Sequence, residues 1–107
     1  MKSLCDPRSS SCVAFATKVL GDKWTPLLIT VLLDGTLRFG EISEQVPGLN
    51  PRTLSARLSN LEKIGVINRK NYPTAPPKVE YTLTQKGVDL YPILNDMEKW
   101  GEKYSLV

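Results

Sequence analysis

Apolar residues recur at helical spacing between Cys12 and Leu20, at Val13, Ala16, Val19 and Leu20, which predicts a short first helix beginning near Ser11. Gly21 follows where a left-handed C-terminal cap would sit. Beyond the Asp22-Lys23 turn, Trp24 to Leu33 is apolar nearly all round, and Pro26 falls in the first turn, where a missing N–H costs little. This segment reads as the central buried helix. Asp34-Gly35 closes it. Phe39, Ile42 and Val46 then mark one face of a short amphipathic helix that ends at Pro47-Gly48.

The next boundary is the clearest. Asn50 is a good N-cap, Pro51 suits the first helical position, and Leu54, Leu58 and Leu61 repeat at helical steps up to Gly65. The opposite face carries Arg52, Ala56, Ser59 and Lys63, with Arg57 and Asn60 on the flank, so it is polar, positive and short-chained near its start. Such a face can lie close to another surface. From Val66 to Tyr72 and from Lys78 to Leu83 the period changes to two, predicting two strands with Ile67, Val79, Tyr81 and Leu83 toward the core. Pro73-Thr74-Ala75-Pro76-Pro77 between them predicts a stiff protruding loop. Thr84 is a plausible N-cap for a final segment whose Leu90, Ile93, Met97, Trp100 and Tyr104 alternate steps of three and four. Pro92 should kink that helix or divide it near Leu90 or Tyr91.

The order is four helices, two strands and a helix. It describes a mainly α (α+β) fold, a winged helix-turn-helix in which the Asn50–Ile64 helix would enter a major groove and the hairpin would reach the backbone or minor groove. With 107 residues the chain has room for one domain, read as 12–107, preceded by a polar, proline-punctuated arm at 1–11. The arm, with no apolar h-region after Met1-Lys2-Ser3-Leu4 and no run of ~20 apolar residues anywhere, implies a cytoplasmic protein with no membrane partner.

Charge sharpens this picture. The net charge of +3 is modest, but Arg52, Arg57, Lys63, Arg69, Lys70 and Lys78 cluster on the last predicted helix of the pair and on the hairpin, against only Glu62 and Glu80. Chemistry is narrowed by absence: there is no histidine, and Cys5 and Cys12 are the only cysteines. Ser-His-Asp and Cys-His catalysis and histidine-containing zinc sites are thereby excluded. Glu41 and Glu44 are the nearest approach to a carboxylate pair, and no Gly-rich phosphate loop accompanies them. An enzyme is the weakest reading, and no cofactor or metal is expected.

Four motifs carry a family resemblance: Leu20-Gly21-Asp22-Lys23-Trp24; Leu33-Asp34-Gly35 with Arg38-Phe39; Pro51-Arg52-Thr53-Leu54-Ser55-Ala56-Arg57-Leu58 with Leu61-Glu62; and Tyr72-Pro73-Thr74-Ala75-Pro76-Pro77-Lys78-Val79-Glu80-Tyr81-Thr82-Leu83-Thr84. Together they resemble the HxlR-type transcription regulators, relatives of the MarR proteins, over roughly residues 12 to 101. The resemblance implies a homodimer joined through the first and terminal helices, the latter at residues 85–105, and a pseudo-palindromic double-stranded DNA operator, with repression as the default outcome. Carried over by position, Asn50, Arg52, Thr53, Ser55, Ala56, Arg57, Ser59, Asn60 and Lys63 become candidates for groove and phosphate contacts, and Lys78 for a phosphate contact at the wing. The stripe Leu90, Ile93, Met97, Trp100 and Tyr104 becomes the candidate dimer interface.

Several alternatives stand open at this level. Arg57 could contact DNA or form an internal ion pair with Glu41, Glu44 or Glu62, and Ser55 could brace the domain instead of reaching bases. The resemblance brings one more expectation: several members of the family sense oxidants or electrophiles through a cysteine close to the start of the first helix. Cys12 could act as such a redox sensor, its thiolate favoured by the helix N-terminus, or be a small half-buried residue with no redox role. Cys5 reads as an exposed thiol of the arm, with a Cys5–Cys12 disulfide sterically conceivable. Trp24, Phe39, Tyr81 and Trp100 could pack in the core or line a pocket for an unidentified small-molecule effector. The competing function is a winged-helix protein–protein adaptor without specific DNA binding.

Overall fold

The computed structural model describes residues 11–105. The reading of Cys5 and of the rest of the arm falls outside them. Six helices and three strands follow in the order α1 (Ser11–Leu20), α2 (Thr25–Leu32), β1 (Leu37–Arg38), α3 (Phe39–Gln45), α4 (Pro51–Lys63), β2 (Ile67–Tyr72), β3 (Lys78–Leu83), α5 (Gln85–Val88) and α6 (Tyr91–Tyr104). This is the winged helix-turn-helix that the pattern predicts, with one more strand.

The core lies where α2, α3 and α4 meet one face of the sheet. Leu28, Ile29 and Leu32 from α2, Ile42 from α3 and Leu54, Leu58 and Leu61 from α4 are buried, closed by Val46, Leu49, Val66, Ile67 and Tyr81. Each such leucine or isoleucine contributes about 1.5–3 kcal/mol over leaving it in water. The apolar circumference of α2 is not all enclosed: Leu27 is exposed, because α6 leaves a cleft beside it.

Local signals explain most boundaries. The Asn50 side chain accepts hydrogen bonds from the N–H groups of Arg52 (2.7 Å) and Thr53 (3.3 Å). At the other end of α4, Gly65 takes φ +81°, its N–H reaches Glu62 O (3.1 Å), and Val66 N–H reaches Leu61 O (2.9 Å). This is a Schellman ending whose Leu61 and Val66 side chains are both buried. Lys86 adds a hydrogen bond from Nζ to Ile64 O (2.6 Å). Gly21, by contrast, does not adopt the left-handed cap expected of it. It is tight for another reason: a Cβ there would collide with the Thr17 carbonyl oxygen.

The sheet order is β1-β3-β2, antiparallel throughout. β1 escapes a periodicity reading because two residues define no period, and its strand character comes from pairing with β3, Leu37 opposite Tyr81 and Arg38 opposite Glu80. The last helical segment is divided as Pro92 requires, between α5 and α6. Thr84 caps α5, accepting from Gly87 N–H (3.2 Å) while its hydroxyl donates to Gly65 O (2.5 Å), with Val66 O also in reach (3.0 Å).

Candidate nucleic-acid interface

The leucines of α4 turn one side of the helix into the core, which leaves Arg52, Ala56, Ser59, Asn60 and Lys63 exposed on the other. Ser55 is exposed on the flank toward β2, and Thr53 is half-buried. Asn50 is exposed, but its carboxamide oxygen is committed to the cap, so its first role is to start the helix.

Arg57 points off the other flank. Its guanidinium lies 3.7 Å from the Asp22 carboxylate, and none of Glu41, Glu44 or Glu62 is the partner. Of the two readings of Arg57 the internal ion pair is present, but with a residue not considered, on the turn before α2. That turn is built by the same carboxylate: Asp22 accepts from Trp24 N–H and Thr25 N–H (2.8 Å each) and from the Thr25 hydroxyl (2.6 Å). Burial alone would raise its pKa, but the hydrogen bonds from Thr25 and Trp24, together with the Arg57 charge, outweigh it and hold the carboxyl below its usual value.

The outer face of the sheet carries the wing charges. Strand alternation places Lys70 and Tyr72 of β2, Lys78 and Glu80 of β3 and Arg38 of β1 on one side. Glu80 on the central strand has Arg38 and Lys70 as cross-strand partners, and its carboxylate lies 3.3 Å from Lys78 Nζ. A hydrogen bond from the Tyr72 hydroxyl lowers its pKa most; partial desolvation opposes this, and the hydrogen bond and charge of Lys78 and the charge of Arg38 help to keep the carboxyl below its usual value. The ammonium groups of Lys70 and Lys78 flank the Tyr72 ring at 5.0 and 5.2 Å. Three cations thus surround one carboxylate at the base of the exposed 73–77 loop. Arg38 was not among the sequence-derived site residues. It joins the wing only because β1 pairs with β3.

Comparison with known proteins decides the family. The family model described as HxlR-like helix-turn-helix matches residues 19–106. The chain belongs to that family. Its relatives include an uncharacterized helix-turn-helix transcriptional regulator of Methanothermobacter thermautotrophicus, 45% identical over 92 residues that cover 86% of this chain and 70% of the relative. Among solved structures, the redox regulator HypR in its oxidized form is similar at a TM-score of 0.81 and 40% identity, covering 90% of this chain and 99% of HypR. A MarR-family regulator from Enterococcus faecalis V583 is similar at a TM-score of 0.84 and 35% identity, covering 97% and 93%. This HxlR-type protein is accordingly a transcriptional regulator with a helix-turn-helix, and its family is not one of enzymes.

The remaining sequence-derived residues fall in two places. On α6, Ile93, Met97, Trp100 and Tyr104 are all exposed, Trp100 at 67%, whereas Leu90 is half-buried and packs against the core. Leu90 leaves the stripe because it precedes α6 and closes the α5 turn, donating its N–H to Gly87 O. The four aromatics do not form one set either: Trp24 and Phe39 pack on the core, Tyr81 is within it and Trp100 is outside. Core packing is therefore overturned for Trp100. On α1, Cys12 is half-buried and its sulfur is disulfide-bonded. No described helix is long and apolar enough to cross a membrane, and the described residues hold no group of three or more His, Cys, Asp or Glu side chains placed to bind a metal.

Proposed function

We propose that the protein is a homodimeric, sequence-specific double-stranded DNA binder that represses transcription by occupying an operator. The observation that carries this reading is the outward face of α4, where a buried leucine stripe forces Arg52, Ala56, Ser59, Asn60 and Lys63 into solvent. Short side chains at Ala56, Ser55 and Ser59 permit close approach to base edges, and Arg52 and Lys63 supply charge at either end of the helix. Lys78, with Lys70 and Arg38, adds cations on the wing. Asn50 and Arg57 support the surface chiefly by capping and bracing α4, and Thr53 remains a half-buried candidate contact at its start.

Dimerisation is supported by the apolar surface shared by α1 and α6. Val13, Leu20, Ile93 and Met97 border an open apolar groove of about 340 Å³, continued by the exposed Trp100 and Tyr104. A second copy of the chain would cover it, and a two-fold pair of α4 helices would then read an inverted repeat. The 1–11 arm and the 12–107 domain remain the proposed division of the chain.

Redox control through Cys12 is a second part of this reading. The likeness to the redox regulator HypR favours a sensor over an inert small residue.

The deciding experiment selects binding sites from a random duplex pool and titrates the winner at several salt concentrations, with and without diamide or dithiothreitol. Enrichment of an inverted repeat bound by a dimer, with affinity falling steeply as salt rises, is the expected result. Affinity that ignores salt and sequence would instead support the protein–protein adaptor. Redox-dependent affinity lost in Cys12→Ser would support the sensor.

A further inference from the structure

A polar cleft between α4 and the wing brings Ser55 and Ser59 of the proposed reading face together with Arg69, to which no contact has been assigned. Ser55, Ser59 and Glu62 from α4, Arg69 from β2 and Tyr81 from β3 line a space of about 180 Å³. Ser55, Ser59 and Glu62 share one flank of α4 because they follow at steps of four and three, with Glu62 toward the C-terminal end. Arg69 faces the same space because it is the cross-strand partner of buried Tyr81, on the side of the sheet that packs on the helices, while its neighbour Lys70 points to the opposite side.

We infer that this cleft seats one backbone phosphate of the DNA strand that divides the major groove from the minor groove, held by the Arg69 guanidinium and the Ser55 and Ser59 hydroxyls. The inference rests on the DNA-binding reading above. With α4 in the major groove and the hairpin over the neighbouring minor groove, one sugar-phosphate strand has to cross between helix and wing, and the cleft lies between them. Its chemistry suits that occupant. A guanidinium offers a planar fork matched to two phosphate oxygens, and two serines add short donors that do not obstruct the backbone. Glu62 opposes the phosphate from the far end of the row, so it limits the strength of the seat instead of contributing to it. A phosphate contact of this kind fixes register and carries no sequence preference.

The test uses the intact protein and a duplex that wild type binds. Replacing Arg69 by Ala should reduce the slope of log affinity against log salt by about one and weaken operator and random DNA by the same factor. R69K should restore the slope and only part of the affinity, because it keeps the charge and loses the fork. E62Q should bind more tightly than wild type. Single methylphosphonate substitutions along the dividing strand should weaken wild type at one position and leave R69A indifferent there. Arg69 is exposed, and an unchanged melting curve for R69A confirms that folding is intact. An R69A protein with wild-type slope and affinity overturns the phosphate seat alone. Wild type without salt-dependent duplex binding overturns the DNA reading and the seat together.

Discussion

Arg57 of α4 and Asp22 of the turn before α2 stand 3.7 Å apart, so the charge that looks outward in the sequence ties the recognition-helix candidate to the base of the central helix. The two partners are not equivalent. Asp22 also holds the turn through three hydrogen bonds from Trp24 and Thr25, whereas the guanidinium is partly solvated. Asp22→Ala should therefore cost about 1–2 kcal/mol, in the range of a lost helix cap, and Arg57→Ala under ~1 kcal/mol, as for a partly exposed pair. Denaturant unfolding of both variants checks the order. The lowered Asp22 pKa adds a pH signature. Its stabilisation is complete above the ordinary carboxyl value of 3.8 and is lost as pH falls through the lower folded value. Wild type should therefore lose more stability than Asp22→Asn as pH falls from about 4 down through the lowered Asp22 value, and equal losses would remove Asp22 from the acid transition.

Arg52 is the contrasting arginine. It is exposed in the first turn of α4, where its backbone N–H is taken by the Asn50 cap and its side chain remains available. Arg52→Ala should cost on the order of 1–3 kcal/mol of operator affinity if the fork reads a base, with relaxed preference at one position of the site. Arg57→Ala should cost less. Titration of the selected duplex with both variants tests the ranking, and an Arg52→Ala protein that binds as wild type would leave α4 without its proposed reader.

These two arginines also mark the reach of the sequence. The limits of α4 are legible because Asn50, Pro51 and Gly65 act on their own neighbours, and the division at Pro92 is legible for the same reason. The Asp22–Arg57 pair is not, since it depends on how α2 and α4 cross, and all three glutamates considered for Arg57 are nearer to it in sequence than Asp22 is. Arg38 and Arg69 were legible as cations but not as members of opposite sheet faces. Their sides follow from the register of β3 between β1 and β2, which hydrophobic alternation in such polar strands leaves weakly specified. Leu90 fits the heptad arithmetic and still packs inward, because the helix break just before α6 ends the periodicity on which that arithmetic relies.

Two glycines separate packing from propensity. Gly87 is buried in α5, and a Cβ there would collide with the Val66 carbonyl oxygen and come within 2.8 Å of Leu83 Cδ2. Gly87→Ala should destabilise by roughly 1–3 kcal/mol, since the buried Val66 backbone between α4 and β2 cannot move aside cheaply. Gly40 in α3 is exposed, and a Cβ there meets nothing within 4 Å. Gly40→Ala should stabilise by up to ~1 kcal/mol through lower unfolded-chain entropy. Thermal melts of the pair should move in opposite directions, and a neutral Gly87→Ala would mean that the α5–β3 contact is looser than the structure has it.

Met97 and Trp100 provide the sharpest test of the assembly. Both are more than half exposed, and Met97 borders the groove against α1 as well as the cleft against α2, so a partner covering α6 would bury it from two sides. Neither belongs to the buried core, so replacing both with glutamate should leave the monomer's melting behaviour nearly intact in dilute solution. Sedimentation should then report a monomer for the variant and, on the proposed assembly, a dimer for wild type. Operator binding should weaken far more than binding to a single half-site, because two linked modules gain from effective concentration and a lone one does not. A double variant that sediments as a dimer would move the interface away from α6. A monomer that still binds the full operator as wild type does would separate DNA recognition from dimerisation, and α4 and the wing would then suffice for recognition.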